Sequence, residues 1–254
     1  MTGGCGRKIG PYDCCTIITG DSKELAPAIP NESVDLIVTD PPYNAGKDYG
    51  PLVDDALSEK DYLSWYGKVV AECYRVMGNG YLYVSCTTNH LWSLRPLWEG
   101  VGFSWQLMCL WWGPNYAGVG DAIVGQWRVL YEPIMMFLKG PRVAMLNEIQ
   151  GCNSDAIMRY TRPQRSFGGE LERVHPTQKP VDLYLNIIGR TPGGLVLDPF
   201  VGSGTSAIAA KKLGRHYLAF EIDPDVAERA RERVRNTQPP LFVMQPEQAE
   251  MELP

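Results

Sequence analysis

The hydrophobic positions of this chain form short apolar runs that are separated by longer segments with a helical period. Seven runs have the length of a buried strand: Thr16–Ile18, Val34–Val38, Tyr81–Ser85, Leu107–Trp112, Ile134–Leu138, Leu195–Leu197 and Tyr217–Phe220. A helical pattern occurs in four segments: Ser58–Met77, Pro180–Ile188, Ser203–Leu213 and Pro224–Arg235. Because strands alternate with helices, the pattern predicts an α/β fold whose mostly parallel sheet carries helices on both faces.

The last of these helices has the clearest boundary. Asp223 is a favourable N-cap, and Pro224 occupies the first turn, where a helix tolerates proline. Val226, Ala230 and Val234 recur every four residues, so this face is predicted to pack on the sheet. The arginines and glutamates between them are interpreted as a solvated surface with weak ion pairs.

Two stretches interrupt the alternation. Residues 113–127 and 140–174 are rich in Gly, Asn, Pro and Arg, which predicts long functional loops or a small insertion on the sheet. Residues 237–254 contain four prolines and three glutamates and are predicted to form a flexible tail. A chain of 254 residues without internal repeats is otherwise expected to fold as one large domain over residues 1–254.

Composition and charge narrow the class of protein. The chain is 44% hydrophobic, and its net charge of −5 argues against general polyanion binding, so a nucleic-acid contact requires a local basic patch. No apolar run approaches the roughly 18 residues of a membrane span, and the glycine-rich start lacks the apolar core of a signal peptide. Seven cysteines without a Cys-x-x-Cys pair indicate reduced thiols, no metal site and a cytoplasmic location.

The sharpest motif is Asp40-Pro41-Pro42-Tyr43, which follows the apolar run Val34–Val38. Ligands of open α/β sheets bind beyond the carboxyl ends of the strands. Two consecutive prolines fix the backbone and remove two N–H donors, so the turn presents the Asp40 carboxylate and nearby carbonyls as acceptors. Tyr43 adds an aromatic face. Acceptors beside a stacking platform suit an exocyclic amino group on a planar ring, and a purely structural turn is the alternative.

A second motif reads as strand, glycine-rich turn and helix. Residues 198–205 are Asp-Pro-Phe-Val-Gly-Ser-Gly-Thr, and the glycines let the backbone approach a ligand closely. The following helix offers free N–H groups and the positive end of its dipole to an anionic group. Glu221 ends the next strand, 23 residues after Asp198, where nucleotide-binding folds carry an acid that binds a ribose. These features indicate an adenosine-type cofactor without separating a dinucleotide from S-adenosylmethionine.

Two further features have open alternatives. The segment 175–180 (His-Pro-Thr-Gln-Lys-Pro) is either a capped helix start or a place where Lys179 supplies a cation to a carboxylate ligand. The trio Arg159, Arg162 and Arg165, in a stretch with more basic than acidic residues, suits phosphate or guanine contacts. Solvated surface arginines are the alternative for this trio.

Together these motifs resemble those of the amino-group DNA methyltransferases, the N6-adenine and N4-cytosine enzymes, in the order of the permuted beta group. Asp-Pro-Pro-Tyr comes first, followed by a target-recognition region, His-Pro-Thr-Gln-Lys-Pro, the glycine-rich loop and the acidic residue. Tyr131–Lys139 resembles the strand that closes the family's catalytic half, and Gly20-Asp21 resembles the segment near the cofactor adenine. The resemblance extends over nearly the whole chain.

The resemblance implies a Rossmann-like fold that binds S-adenosylmethionine, with a role for each matched residue. The motif from Asp40 to Tyr43, Pro42 included, is the expected catalytic segment: Asp40 and the Pro41 carbonyl accept hydrogen bonds from the target amino group, and Tyr43 stacks on the extruded base. Asp21 is expected near the cofactor adenine, Lys179 near the methionine carboxylate and Glu221 at the ribose hydroxyls. The remaining expected cofactor contacts are Asp198, Pro199, Phe200, Gly202, Ser203, Gly204 and Thr205.

The implied activity is transfer of a methyl group to an exocyclic amino group in double-stranded DNA. Position 40 is Asp, where related enzymes can carry Ser, and this favours adenine N6 as the target atom. Cytosine N4 stays open because some N4 enzymes also carry Asp at this position. Enzymes that methylate protein glutamine resemble the motif more weakly and usually carry Asn at its first position. A non-catalytic DNA-binding protein on the same scaffold and a nicotinamide-dependent oxidoreductase are competing hypotheses, and the latter leaves Asp40 and Tyr43 unexplained. A homodimer and a cognate restriction nuclease are further partners that the family implies.

Overall fold

The computed structural model describes residues 5–46, 52, 54–113, 129–146, 155–163 and 177–238. The strands are β1 (Lys8–Ile9), β2 (Tyr12–Asp13), β3 (Thr16–Thr19), β4 (Val34–Thr39), β5 (Met77–Ser85), β6 (Ser104–Trp112), β7 (Tyr131–Lys139), β8 (Ile157–Arg159), β9 (Leu195–Asp198) and β10 (His216–Glu221). The helices are α1 (Ser22–Leu25), α2 (Glu59–Val76), α3 (Leu91–Gly100), α4 (Val181–Arg190), α5 (Thr205–Lys212) and α6 (Pro224–Asn236), with a 3-10 turn at Ala26–Ala28.

Eight of these strands form one sheet in the order β3-β10-β9-β4-β5-β7-β6-β8. Strand β7 runs antiparallel to both of its neighbours, β5 and β6. The other adjacent strands of the sheet pair in parallel. Strands β1 and β2 form a separate antiparallel hairpin. The predicted mostly parallel sheet is therefore confirmed.

Helices cover both faces of the sheet, as predicted. Leu36 and Val38 of β4 pack into the cluster formed with α4, α5 and α6, whereas Ile37 packs into the cluster formed with α2 and α3. Successive side chains of a strand point to opposite faces, so one buried strand contributes to both halves of the core. None of the helices in the described ranges is both long and apolar enough to cross a membrane.

All seven apolar runs lie within observed strands, and each of the four helical patterns corresponds to an observed helix. The hairpin β1–β2, helix α3 and strand β8 were not predicted. Strand β8 pairs with β6, with Met158 opposite Trp111, so part of the stretch 140–174 extends the sheet. Residues 114–128, 147–154, 164–176 and 239–254 lie outside the described residues. The prediction of a flexible tail and most of the two predicted loops fall in these ranges.

Helix α6 begins as predicted but buries a slightly different face. The Asp223 side chain caps the helix by accepting a hydrogen bond from Val226 N at 3.0 Å. Ala227, Ala230 and Val234 are buried in the core. Val226 is only partly buried, so the prediction that it packs on the sheet was wrong by one position.

The predicted surface ion pairs of α6 are present, since Arg231 and Arg235 lie 3.2 Å and 2.8 Å from Glu228, but Arg231 and Arg233 also form hydrogen bonds outside the helix. Arg231 Nε donates to the Ile17 carbonyl of β3 at 3.0 Å. Arg233 donates to the Ser203 carbonyl in the glycine-rich loop. These hydrogen bonds connect α6 to the strand and the loop beside it, which spacing alone did not indicate.

Candidate active site

The candidate site lies between β4 and β9, where the direction of winding in the sheet reverses. Strand β4 connects through α2 to β5 on one side, and β9 connects through α5 to β10 on the other. Ile37 of β4 pairs with Leu197 of β9 in parallel register, so the carboxyl ends of both strands open into one crevice. Ligands of α/β sheets bind at such a switch point. A cavity of about 300 Å³ occupies this crevice, and both Asp40 and Asp198 line it.

The four residues predicted as catalytic, Asp40, Pro41, Pro42 and Tyr43, all line this cavity. The Pro42 carbonyl accepts a hydrogen bond from the Tyr62 hydroxyl at 3.0 Å, which attaches the turn to α2. The Tyr43 ring is buried, and its hydroxyl is hydrogen-bonded to Asp40 Oδ1. The turn is therefore fixed by contacts on both sides as well as by its two prolines.

Glu132 of β7 brings a second carboxylate to this turn. Its Oε1 atom lies 2.8 Å from the Tyr43 hydroxyl and 2.6 Å from Lys179 Nζ. Lys179 Nζ also lies 2.5 Å from Asp40 Oδ2 and 3.3 Å from the Tyr43 hydroxyl. The three protons of the ammonium group therefore have three acceptors. Two carboxylates and one ammonium leave this cluster with a formal excess of one negative charge.

Burial and charge act in opposite directions on Lys179. Burial lowers the pKa of its ammonium group, but the carboxylates of Asp40 and Glu132 more than offset this effect, so the pKa of Lys179 is raised. Burial, reinforced by the same two carboxylates, raises the pKa of Tyr43 well above its ordinary value. Lys179 therefore stays protonated and Tyr43 stays a neutral donor.

The ammonium group of Lys179 faces the turn from Asp40 to Tyr43. The family resemblance implied a position near the methionine carboxylate of the cofactor. Lys179 does line the cavity, but its Nζ atom is held by Asp40, Glu132 and Tyr43. Its contact with a cofactor stays a prediction, and the structure adds a contact with the turn that was not predicted.

The glycine-rich loop forms another wall of the cavity. Asp198 accepts hydrogen bonds from Phe200 N at 3.0 Å and from the Ser206 hydroxyl. Gly202 has a φ of +49°, and no atom lies within 4 Å of the position where its Cβ would be. Gly202 N donates to Glu221 Oε2 at 2.9 Å. The loop is thus fastened by the acids at the ends of β9 and β10, and the backbone of Gly202 faces open space.

Both of these acids have a raised pKa. Burial raises the pKa of Asp198 to about 7, although hydrogen bonds from Ser206 and Phe200 lower it in part. Burial also raises the pKa of Glu221, and hydrogen bonds from the backbone of Asp223 and Gly202 oppose this shift. Asp198 therefore titrates near neutral pH.

Gly204 has a packing role in this structure. It precedes α5 with a φ of +84°, and a Cβ there would lie 3.1 Å from the Cβ of Ala230. Gly204 is not among the residues that line the cavity, so its contact with a cofactor stays a prediction. The other residues expected at the cofactor do line it: Asp21, Lys179, Asp198, Pro199, Phe200, Gly202, Ser203, Thr205 and Glu221.

Further residues around the cavity were not predicted as site residues. Trp65 of α2 packs against Phe200, with ring centroids 5.8 Å apart. Asp55 is buried and accepts hydrogen bonds from Asn44 N at 2.7 Å and Ala45 N at 3.0 Å. Asp55 thereby fixes the backbone that follows Tyr43. No sequence motif marks these residues, although Trp65 is an aromatic residue beside the apolar stripe of α2.

Two of the predicted DNA-binding arginines, Arg159 and Arg162, lie beside the sheet edge and do not line the cavity. Arg159 of β8 is exposed, and its guanidinium carbon lies 5.9 Å from the ring centroid of Trp112. Arg162 lies at the same distance, 5.9 Å, from the ring centroid of Trp111. Arg165 lies outside the described residues. Contact between these arginines and DNA stays a prediction.

The residues of the cavity fit an adenosine-type cofactor that carries a positive charge. The volume of about 300 Å³ lies in the range of small-molecule sites. Glu221 ends β10 at the position of a ribose-binding acid, and Gly202 leaves open space for close approach. The excess negative charge of the cluster around Asp40 suits a cation nearby.

The sequence belongs with proteins that methylate DNA. Residues 34–232 match the N6/N4 methyltransferase family model, which is described as DNA methylase. The chain is 32% identical to the DNA adenine methyltransferase YhdJ of Escherichia coli (strain K12) over 253 residues, which covers 89% of this chain and 84% of that protein. It is 31% identical to the type II methyltransferase M.HpaI of Haemophilus parainfluenzae over 221 residues, which covers 80% of this chain and 68% of that protein.

Solved structures of DNA methyltransferases share this fold. The crystal structure of the M1.HpyAVI–SAM complex superposes with a TM-score of 0.62 at 25% identity, over 86% of this chain and 98% of that chain. PvuII DNA methyltransferase, which is cytosine-N4-specific, shares the fold with a TM-score of 0.69 at 20% identity, over 85% of each chain. With the family match over most of its length, the chain belongs to the S-adenosylmethionine-dependent DNA methyltransferases that modify exocyclic amino groups of bases.

Proposed function

We propose that this protein methylates the N6 amino group of adenine in double-stranded DNA, on a base that is flipped into the cavity between β4 and β9. The observation that carries this proposal is the shared cavity: the turn from Asp40 to Tyr43 and the loop around Gly202 line the same space, although they come from opposite ends of the chain. A base and a cofactor bound there would meet at the switch point of the sheet.

The choice of adenine rests on two observations. Position 40 is Asp rather than Ser, as in the motif expected for adenine enzymes. The relative that aligns with 89% of this chain, at 32% identity, is named a DNA adenine methyltransferase. The cytosine-N4-specific neighbour is 20% identical and supports the fold alone. Cytosine N4 is the alternative substrate atom.

In this proposal, Asp40 and the Pro41 carbonyl accept hydrogen bonds from the target amino group. The nitrogen lone pair of that group is delocalised into the ring, and such hydrogen bonds favour the pyramidal nitrogen that exposes it. The cofactor supplies a methyl group on a sulfonium. The negative charge of Asp40 and Glu132, only half balanced by Lys179, complements the positive charge that develops on the amino nitrogen. The amino nitrogen becomes positively charged as it gains the methyl group and then releases one proton, so no covalent enzyme intermediate is required.

Tyr43 has two roles in this proposal. Its hydroxyl is hydrogen-bonded to Asp40 Oδ1, so the target amino group would replace it as the donor to that atom. Its hydrogen bond to Glu132, at 2.8 Å, gives the displaced hydroxyl a second acceptor. Its ring would stack on the flipped base and offset part of the cost of base flipping, by roughly 1–3 kcal/mol.

The same proposal includes the arginines that contact DNA and a cognate restriction nuclease. Contact of Arg159, Arg162 and Arg165 with DNA is supported by the exposure of Arg159 and by the position of β8 at the sheet edge. A cognate restriction nuclease is supported by relatives that are named type II methyltransferases. A homodimer and a cytoplasmic location stay expectations from the sequence.

Nucleoside analysis of DNA treated with the enzyme and labelled cofactor tests the proposed reaction. The expected product is N6-methyladenine. N4-methylcytosine would overturn the choice of base while leaving the amino-group reaction intact. Cofactor binding without turnover on mixed-sequence DNA would instead favour a non-catalytic DNA-binding protein on this scaffold. Sequencing the modified positions of a methylated plasmid would then give the recognition site.

A further inference from the structure

Three cysteines and one histidine converge at the amino-terminal end of β10, away from the proposed catalytic cavity. They are Cys5, Cys14, Cys15 and His216, and their candidate ligand atoms all lie within 4.8 Å of one another. His216 Nδ1 lies 3.3 Å from the sulfur of Cys5, 3.1 Å from that of Cys14 and 3.9 Å from that of Cys15. The sulfurs of Cys14 and Cys15 are 3.5 Å apart. These four residues do not line the cavity described above, and that site gives them no role in methyl transfer.

These distances match the edges of a metal-centred tetrahedron. A Zn²⁺ ion with Zn–S bonds of about 2.3 Å and a Zn–N bond of about 2.0 Å holds tetrahedral ligands about 3.5–3.8 Å apart. Four of the six separations between the candidate ligand atoms, from 3.1 to 3.9 Å, lie around this range, and the other two are within 4.8 Å. A disulfide requires sulfurs about 2.05 Å apart, so the 3.5 Å between Cys14 and Cys15 describes two separate thiols.

The backbone at Cys15 is what directs two successive cysteines to one point. Successive side chains of an extended strand point in opposite directions, so a Cys-Cys pair in a strand cannot share a ligand. Cys15 has a φ of +61°, a left-handed conformation that is uncommon for a residue other than glycine. Its N–H donates to the Tyr217 carbonyl at 2.7 Å, which holds this turn against β10, next to His216.

We propose that Cys5, Cys14, Cys15 and His216 bind one Zn²⁺ ion in a structural site. Three thiolates and an imidazole are a ligand set typical of zinc, and four protein ligands leave no position for water or substrate. The ion joins the segment around β1 and β2 to the start of β10. Each strand of that hairpin has only two residues, and such a short hairpin is marginal without further support.

The proposed zinc site is connected to the cofactor pocket through strands β3 and β10. Strand β10 begins at His216 and ends at Glu221, and its parallel neighbour β3 leads into Gly20 and Asp21. Gly20, Asp21 and Glu221 all line the cavity. The zinc ion therefore lies at the amino ends of the two strands whose carboxyl ends form one wall of the pocket, and it takes no part in methyl transfer.

The zinc content of the purified full-length protein tests this proposal. Wild-type protein prepared under reducing conditions without chelator is expected to carry one zinc ion per chain, as measured by elemental analysis and native mass spectrometry. Cys14→Ser and His216→Ala are each expected to lose the ion. Cys73→Ser, which changes a buried thiol in α2, is the matched control and is expected to keep it.

Two measurements on the wild-type protein do not depend on the folding of a variant. After zinc removal, Co²⁺ is expected to give a thiolate-to-cobalt charge-transfer band that Zn²⁺ abolishes. A chelator is expected to lower the Tm of the wild type, because an ion that binds only the folded state stabilises it. Reduced protein that contains no zinc and takes up neither ion would overturn the proposal. A disulfide between two of these three cysteines, located by peptide mapping of protein prepared under the same reducing conditions, would also overturn it.

Discussion

Lys179 Nζ lies 2.5 Å from Asp40 Oδ2, although the two residues are 139 positions apart in the chain. Lys179 precedes α4, and Asp40 follows β4, so this ion pair joins the two halves of the sheet at the switch point. Glu132 of β7 shares the same ammonium group at 2.6 Å. The carboxylate that we propose to be catalytic is therefore held directly by Lys179, and Glu132 acts on it through this shared ammonium group.

Asp40→Ala is expected to abolish methyl transfer and to leave cofactor binding largely intact. Asp40 would contact the target amino group, whereas the expected cofactor contacts come from other segments. Loss of one such electrostatic contact lowers turnover by about 10²–10³-fold or more. Single-turnover transfer of a labelled methyl group and calorimetric titration with cofactor separate the two effects. Asp225→Ala, at an exposed position of α6, is the control, and full activity of Asp40→Ala would refute the role of Asp40.

Glu132→Gln is expected to lower kcat with little change in the KM for the cofactor. The substitution keeps the shape of the side chain but removes the charge that holds both Lys179 and the Tyr43 hydroxyl. Lys179 would then be held by Asp40 alone, and the turn would be less well oriented. Steady-state kinetics at several cofactor concentrations give both parameters. An unchanged kcat would show that Glu132 does not position the catalytic turn.

Lys179→Met is expected to destabilise the fold, because it leaves the carboxylates of Asp40 and Glu132 buried without a cation. Removing one partner of a buried ion pair costs about 3–5 kcal/mol. The double variant Lys179→Met/Glu132→Gln is expected to recover part of this loss, since one uncompensated charge is removed. Urea denaturation of the wild type, both single variants and the double variant measures the coupling. If the effects of the two substitutions on the free energy of unfolding were strictly additive, Lys179 and Glu132 would not be energetically coupled.

The difference between what the sequence predicted and what it missed has a physical basis. The motifs at Asp40 and Asp198 could be located because strand ends in a parallel sheet fall on one edge. Glu132 was the single acid in the mostly apolar β7, yet only pairing with β5 shows that it reaches Tyr43. The direction of the Lys179 side chain depends on packing, which spacing does not specify.

Other features were missed because their parts are distant in sequence or break a local rule. Cys14 and His216 are 202 positions apart and meet only because β3 pairs in parallel with β10. The chain contains no Cys-x-x-Cys pair, so its cysteine spacing does not indicate a metal site, and none was predicted. Helix α3 was not predicted, and Pro96 lies inside it, where proline normally argues against a helix.

Tyr43→Ala is expected to reduce methyl transfer more than cofactor affinity, and Tyr43→Phe is expected to retain much of the activity. The ring supplies stacking of roughly 1–3 kcal/mol for the flipped base, and phenylalanine keeps that ring. The hydroxyl is the part that contacts Asp40 and Glu132. Single-turnover rates and cofactor titrations of both variants test this distinction. Equal losses of transfer and cofactor affinity in Tyr43→Ala would indicate a structural tyrosine.

Asp198 is expected to make stability depend on pH near neutrality. Burial raises its pKa from 3.8 to about 7 in the folded protein, so the folded state holds this proton more tightly than the unfolded state. Asp198 therefore contributes its full stabilisation of the folded state below the pKa that it has in the unfolded chain. This stabilisation is lost as the pH rises through about 7. The Tm of the protein without cofactor is expected to fall over this interval, and Asp198→Asn is expected to flatten the decline. Asp225→Asn is the control. If Asp198→Asn left the decline of Tm with pH unchanged, the raised pKa of Asp198 would be contradicted.

The triple variant Arg159→Ala/Arg162→Ala/Arg165→Ala is expected to bind duplex DNA more weakly and with a smaller salt dependence. Each lost phosphate contact reduces the slope of log K against log salt concentration by about 0.9. Arg159 is exposed beside Trp112 at the sheet edge, so it is the member of the trio for which the described structure gives the strongest support. Fluorescence anisotropy at several salt concentrations measures the slope. Arg229→Ala, an exposed arginine of α6, is expected to leave it unchanged. An unchanged slope in the triple variant would place the DNA contact elsewhere on the protein.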